Sequence, residues 1–128
     1  MANALLRIKR RPEFLRVASR GKKWAAPGLV IQAMKTPRMT ESDADSTGEH
    51  LRIGFTVSRK VGNAVGRNRA KRRLRALCNE IMPTSAKPGF DYVIIGRQAT
   101  IKRPFEMLKQ DLKNALNKTG TALGSTGK

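Results

Sequence analysis

The chain has 128 residues, enough for one domain that buries most of its apolar surface without disulfide or metal staples. Lys and Arg number 27 against 9 Asp and Glu, a formal net charge of +18 that predicts a polyanionic partner and binding that weakens steeply with salt. A single Cys excludes an internal disulfide and points to a reducing compartment, and no apolar run is long enough to predict a membrane span.

The start, Met1 to Arg11, is basic and free of acids, yet it has no signal-type apolar core and leads into a helix. A cytoplasmic chain is expected. Arg11-Pro12-Glu13-Phe14 marks the helix start, with Pro at the first position and an acid facing the positive end of the helix dipole. That helix should run to Arg20 and stop at Gly21, with Phe14, Val17 and Ala18 on one face. It is too short to stand alone and must dock. Lys22 to Lys35 is β-leaning with a break at Pro27-Gly28. Leu29, Val30 and Ile31 form the stronger half, and Trp24 is expected to pack in the weaker one. From Thr36 to His50 the acids Glu41, Asp43, Asp45 and Glu49 face only one Arg, without apolar periodicity. This predicts a flexible acidic hairpin loop over residues 36–50, a solvated linker.

Leu51 to Ser58 alternates: Leu51, Ile53, Phe55 and Val57 toward a core, Arg52, Gly54, Thr56 and Ser58 away from it. The second face is small, polar and partly basic, and suits an extended chain lying across it. Ser58 to Arg75 carries the densest chemistry. Six of the nine residues from Arg67 to Arg75 are cationic, and the next acid is Glu80. Such a helix repels itself. It needs an apolar face on a core and a polyanion on the other side. At about 100° per residue, Ala70, Leu74, Leu77, Cys78 and Ile81 form one stripe. Arg67, Lys71 and Arg75 make a row beside it, Asn68 and Arg72 lie further round, and Arg69 and Arg73 further still. Planar guanidinium groups suit phosphate. A merely solvated face usually mixes signs, and this one does not.

The basic helix should end before Pro83, with a turn at Lys87-Pro88-Gly89. Tyr92-Val93-Ile94-Ile95 is an unbroken apolar run, as in a strand covered on both faces. A last helix starts near Pro104, with Ile101, Phe105, Leu108, Leu112, Ala115 and Leu116 at helical spacing. Residues 119–128 are expected to form a disordered tail. The elements predict an α+β fold in a single domain, residues 1–118: a two-layer α/β sandwich on a four-stranded mixed sheet, in the order αβββαβα. The strand at 51–58, the basic helix and the strand at 92–96 make a βαβ unit.

Residues for unaided catalysis are missing. His50 is the only His and borders the acidic loop, while Cys78 sits on the core stripe. No acid pair suggests a metal site, and Gly62 to Gly66 lacks the P-loop ending and the dinucleotide-binding spacing. The expectation is a binding subunit with no catalytic or metal-holding residues of its own. A basic ribosomal protein and a DNA-binding regulator are the rival readings, the latter weakened by the lack of helix-turn-helix spacing.

Arg59-Lys60-Val61-Gly62-Asn63-Ala64-Val65 followed by Arg67-Asn68-Arg69-x-Lys71-Arg72-x-x-Arg75 resembles the signature of the bacterial ribonuclease P protein component. Glu13-Phe14-x-x-Val17-x-x-x-Gly21, Leu51 to Ser58 and Asp91 to Ile95 with Arg97 follow the same family order, so the resemblance covers about residues 6–118. It implies a left-handed βαβ crossover, although handedness rules alone favour a right-handed one. It also implies a partnership with a catalytic RNA that, with Mg2+ held mainly by that RNA, removes the 5′ leader of precursor tRNA. No membrane and no obligate protein partner are implied. Arg67, Asn68 and Arg69 would face the RNA subunit. Arg59, Lys60, Asn63, Lys71, Arg72 and Arg75 would extend the RNA-binding surface towards precursor tRNA. The leader would lie between the first helix and the sheet, against Phe14, Arg52 and Thr56. Ala18 and Gln32 stand where the family often has aromatics, so phosphate contacts are expected to carry more of the leader affinity.

Overall fold

The structure, a computed structural model, describes residues 4–36 and 50–122. Residues 37–49 of the expected acidic loop lie outside the described residues. The elements are β1 (Ala4–Arg7), α1 (Arg11–Arg20), β2 (Lys22–Ala25), β3 (Leu29–Lys35), β4 (His50–Thr56), a short helical turn (Arg59–Val61), α2 (Ala64–Ser85), β5 (Phe90–Gly96), α3 (Gln98–Lys102) and α4 (Phe105–Lys118). They form one mixed sheet in the order β1-β4-β5-β3-β2. β4 runs parallel to β1 and β5, while β3 is antiparallel to β5 and β2.

The alternation in β4 places Leu51 and Ile53 in the core beside Leu29, Ile31 and Ala33 of β3 and Tyr92 and Ile94 of β5. α2 covers this face with Leu74, Leu77, Cys78, Ile81 and Met82, and α4 with Leu108, Leu112, Ala115 and Leu116. The apolar stripe expected on the basic helix is therefore its buried face. α1 lies on the opposite face of the sheet. There Phe14 sits over Gly54, where an added Cβ would come within 2.5 Å of its ring. The glycine is needed because the aromatic ring occupies the space of a side chain. β5 is covered on both sides, which accounts for its unbroken apolar run: Tyr92 and Ile94 face α2 and α4, while Val93, 3% exposed, faces the α1 side.

Four expectations need correction. The sheet has five strands, not four, because β1 pairs with the otherwise free edge of β4, and the order is βαβββαβαα. α2 continues through Pro83 to Ser85. Pro83 has no N–H to give the Asn79 carbonyl, and the missing bond falls in the last turns of the helix, where it interrupts least. The chain is not a loose tail from residue 119: Thr119 and Thr121 are buried, Lys87 N–H donates to Thr121 O at 2.7 Å, and Ala86 bridges Ala122. The remaining tail residues, 123–128, lie outside the described residues. Trp24 is 39% exposed on the edge strand, with the Lys118 ammonium 5.3 Å from its ring centroid, rather than packed inside.

Candidate RNA-binding surface

The cationic surface begins in the turn before α2. Asn63 is the helix N-cap, its Oδ1 accepting from Gly66 N–H at 2.9 Å. It satisfies one of the backbone donors that open a helix. Arg67 folds back and donates to Gly62 O at 2.9 Å. Gly66 lets Ile101 of α3 approach: an added Cβ there would lie 3.2 Å from the Ile101 methyl. These contacts fix the first turn of α2 against the rest of the fold. That turn contains no acid. Cations at a helix N-terminus oppose the macrodipole, whereas an anion there is favoured by dipole, backbone N–H groups and guanidinium together.

Arg59, Lys60, Asn63, Asn68, Arg69, Arg72 and Arg75 are exposed, and Arg67 and Lys71 are half-buried. Asn68, Lys71, Arg72 and Arg75 surround one open hollow of about 510 Å³, with Val65 at its edge. Among the described residues, the ion pairs belong to Arg16, Arg52, Arg103 and Lys109, and none joins the cations of residues 59–75 to a carboxylate. Glu80, the first acid along the helix, is engaged by Lys109 of α4. Among the described residues, no carboxylate neutralises the positive field of this surface. Arg73 likewise has no carboxylate partner among the described residues, but it is tied to another element, donating to Thr100 O at 2.6 Å and Arg103 O at 2.5 Å.

Phe14, Arg52 and Thr56 lie on the α1 side of the sheet, away from the face on which α2 packs. Arg52 is held between Glu13 and the buried Asp91, its NH1 3.4 Å from Asp91 Oδ2. Thr36 donates to the other oxygen of Asp91 at 2.7 Å. Arg52 is therefore a structural tie between α1 and β5 as well as a cation on this face, a role the sequence pattern did not reveal. Thr56 is exposed. One cation escaped the sequence reading: Lys23 is exposed and pairs across strands with Gln32, which pairs in turn with Val93 beside Gly54. Cross-strand partners share a face, so Lys23 borders the same groove. The signal was present in the β2–β3 alternation, but the register was not.

Cys78 is buried, and burial pushes its thiol up to about 12, so it is a core side chain. Among the described residues no three His, Cys, Asp or Glu side chains gather as a metal site would require.

The family model for ribonuclease P matches residues 3–120. The chain is 51% identical over 120 residues to the ribonuclease P protein component of Paramagnetospirillum magneticum, covering 94% of this chain and 86% of that one. It is 47% identical over 120 residues to that of Gluconacetobacter diazotrophicus, covering 94% and 96%. The solved RNase P protein of Staphylococcus aureus has the same fold, with a TM-score of 0.69 at 25% identity over 90% of this chain and 95% of that one. The one from Thermotoga maritima gives 0.66 at 27% identity over 84% and 92%. Sequence, surface and topology therefore converge, and the chain belongs to the ribonuclease P protein component family.

Proposed function

We propose that this chain is the protein subunit of a ribonuclease P ribonucleoprotein that promotes removal of the 5′ leader from precursor tRNA. Arg67, Asn68 and Arg69, with Arg59, Lys60, Asn63, Lys71, Arg72 and Arg75, hold the RNA subunit and extend towards the precursor. The leader lies across the α1 side of the sheet, against Phe14, Arg52 and Thr56. Lys23 adds a cation there, in keeping with phosphate contacts where Ala18 and Gln32 replace aromatics. The observation that carries this reading is a cationic helix face that meets no carboxylate among the described residues and is fixed to the core by a buried stripe. Family membership favours it over the ribosomal-protein alternative.

The catalytic groups belong to the RNA in this reading, and so does Mg2+. The buried carboxylates Asp91 and Asp111 are already met by Arg52 and Arg103, and they do not fit a metal site. No step is routed through a metal on this chain. Kinship also implies the left-handed β4–α2–β5 crossover. The site of action in this reading is the cytoplasm. The test is reconstitution with the RNA subunit at low Mg2+. Addition of the chain should raise leader cleavage, and Arg69→Ala with Arg72→Ala should lower RNA affinity while keeping the fold. Cleavage by the RNA that is indifferent to the chain at every Mg2+ concentration sinks the proposal.

A further inference from the structure

A second hollow, of about 590 Å³, opens between α2 and the corner where α3 meets α4. It is a shallow depression, wide open to solvent. Two of its four arginines are committed to the protein. Arg73 holds the backbone carbonyls of Thr100 and Arg103, and Arg103 is paired with Asp111 at 2.7 Å. These bonds make the corner a fixed wall. The other cations, Arg69, Arg72 and Lys102, are exposed and have no carboxylate partner among the described residues. No acid lines the hollow.

The remaining wall is apolar, formed by Ile101, Pro104 and the half-buried ring of Phe105. Lys109, which does not line the hollow, places its ammonium 5.4 Å from the centroid of that ring. Cations grouped around an aromatic surface match the two parts of a nucleotide, phosphate and base. We infer that this hollow takes one unpaired nucleotide of the RNA subunit, its phosphate on Arg69, Arg72 and Lys102 and its base against Phe105 and Pro104. The RNA subunit is favoured over the leader because the groove beside Phe14 and Thr56 is on the other side of the sheet, with β3, β4 and β5 between. The inference rests on the proposed function and adds Lys102 and Phe105 to it.

The test is equilibrium titration of the full chain with the RNA subunit and, separately, with precursor tRNA, across a salt series. Lys102→Ala should weaken binding to the RNA subunit and lower the slope of log K against log salt by about one. Phe105→Leu, which keeps the apolar packing, should weaken it about fivefold or more through lost stacking, and Phe105→Tyr should retain it. Thermal melting of Lys102→Ala should match the parent chain, because Lys102 is exposed. RNA affinities unchanged in Lys102→Ala and Phe105→Leu overturn the inference, as does an equal loss in Phe105→Leu and Phe105→Tyr. Losses confined to precursor tRNA overturn the assignment to the RNA subunit. If the parent chain stimulates leader cleavage while these variants bind normally, only the hollow is lost; a parent chain without stimulation removes the proposed function itself.

Discussion

Arg72 and Arg73 are neighbours in the chain with separate duties. Arg72 is exposed and borders both basic hollows, whereas Arg73 is tied to the carbonyls of Thr100 and Arg103. Hydrogen bonds from a charged donor to partly buried carbonyls contribute about 1.5–3 kcal/mol each at most, less where water reaches them. Arg73→Ala should therefore lower unfolding stability by about 2 kcal/mol. Arg72→Ala should leave stability within about 0.5 kcal/mol while weakening RNA binding. Urea midpoints for the two variants decide the matter, and coincident midpoints would refute the division. Cys78 offers a second residue-scale expectation. With its thiol pushed up to about 12 by burial, the native chain should resist iodoacetamide at pH 8 until urea unfolds it. An unfolded thiol ionises near its ordinary value of about 8.5. Between there and the folded value, the unfolded state binds fewer protons. Stability is thus whole below the ordinary value and is lost as pH climbs towards the folded one. Burial raises the Tyr92 phenol as well, so it adds to the same alkaline loss.

At the scale of elements, α4 is locked to the β2–β3 bend by Asp111. Its carboxylate accepts from Gly28 N–H at 3.0 Å and from Arg103 at 2.7 Å and 3.2 Å. Removing it leaves a buried amide and a partly buried guanidinium without their acceptor. Asp111→Ala should cost about 3 kcal/mol, and Asp111→Asn, which keeps an oxygen for Gly28, less than that. Equal melting temperatures for the parent chain and Asp111→Ala would refute this. The same element shows what the sequence could and could not disclose. The stripes Leu108-Leu112-Leu116 and Ala70-Leu74-Leu77 have a helical period, and Leu51-Ile53 alternates with Arg52 and Gly54, so their buried faces could be foreseen. β1 and α3 could not. Four and five residues are too few for a period, and each depends on a distant partner, β4 for β1 and the Arg73 guanidinium for α3. The candidate site divides in the same way. Its cations were legible one by one, but Arg52 lying between Glu13 and Asp91, 39 positions away on either side, follows from the β4–β5 register and from the docking of α1 on the sheet.

For the whole molecule, a net charge of +18 acts on two equilibria with opposite signs. In the free chain the cations of α2 repel one another, and that repulsion weakens the compact state. Salt screens it over a Debye length of about 10 Å at 0.1 M. Assembly with RNA instead releases counterions condensed on the phosphates, so added salt weakens it, with a logarithmic slope of about −0.7 per phosphate contacted on single strands. The hydrophobic core shared by the sheet, α2 and α4 is common to free and bound chains, so it cancels from the difference between them. Raising KCl from about 0.05 M to about 0.3 M should therefore move the urea midpoint of the free chain upward while its affinity for the RNA subunit falls by at least tenfold. Arg69→Ala with Arg72→Ala should blunt both responses, because these exposed charges contribute to the repulsion and to the phosphate contacts alike. Both quantities are measured on the same samples, by urea titration and by filter binding. Parallel movement of the two with salt, or a double variant that blunts only one of them, would show that repulsion within the chain and attraction to RNA do not arise from the same face of α2.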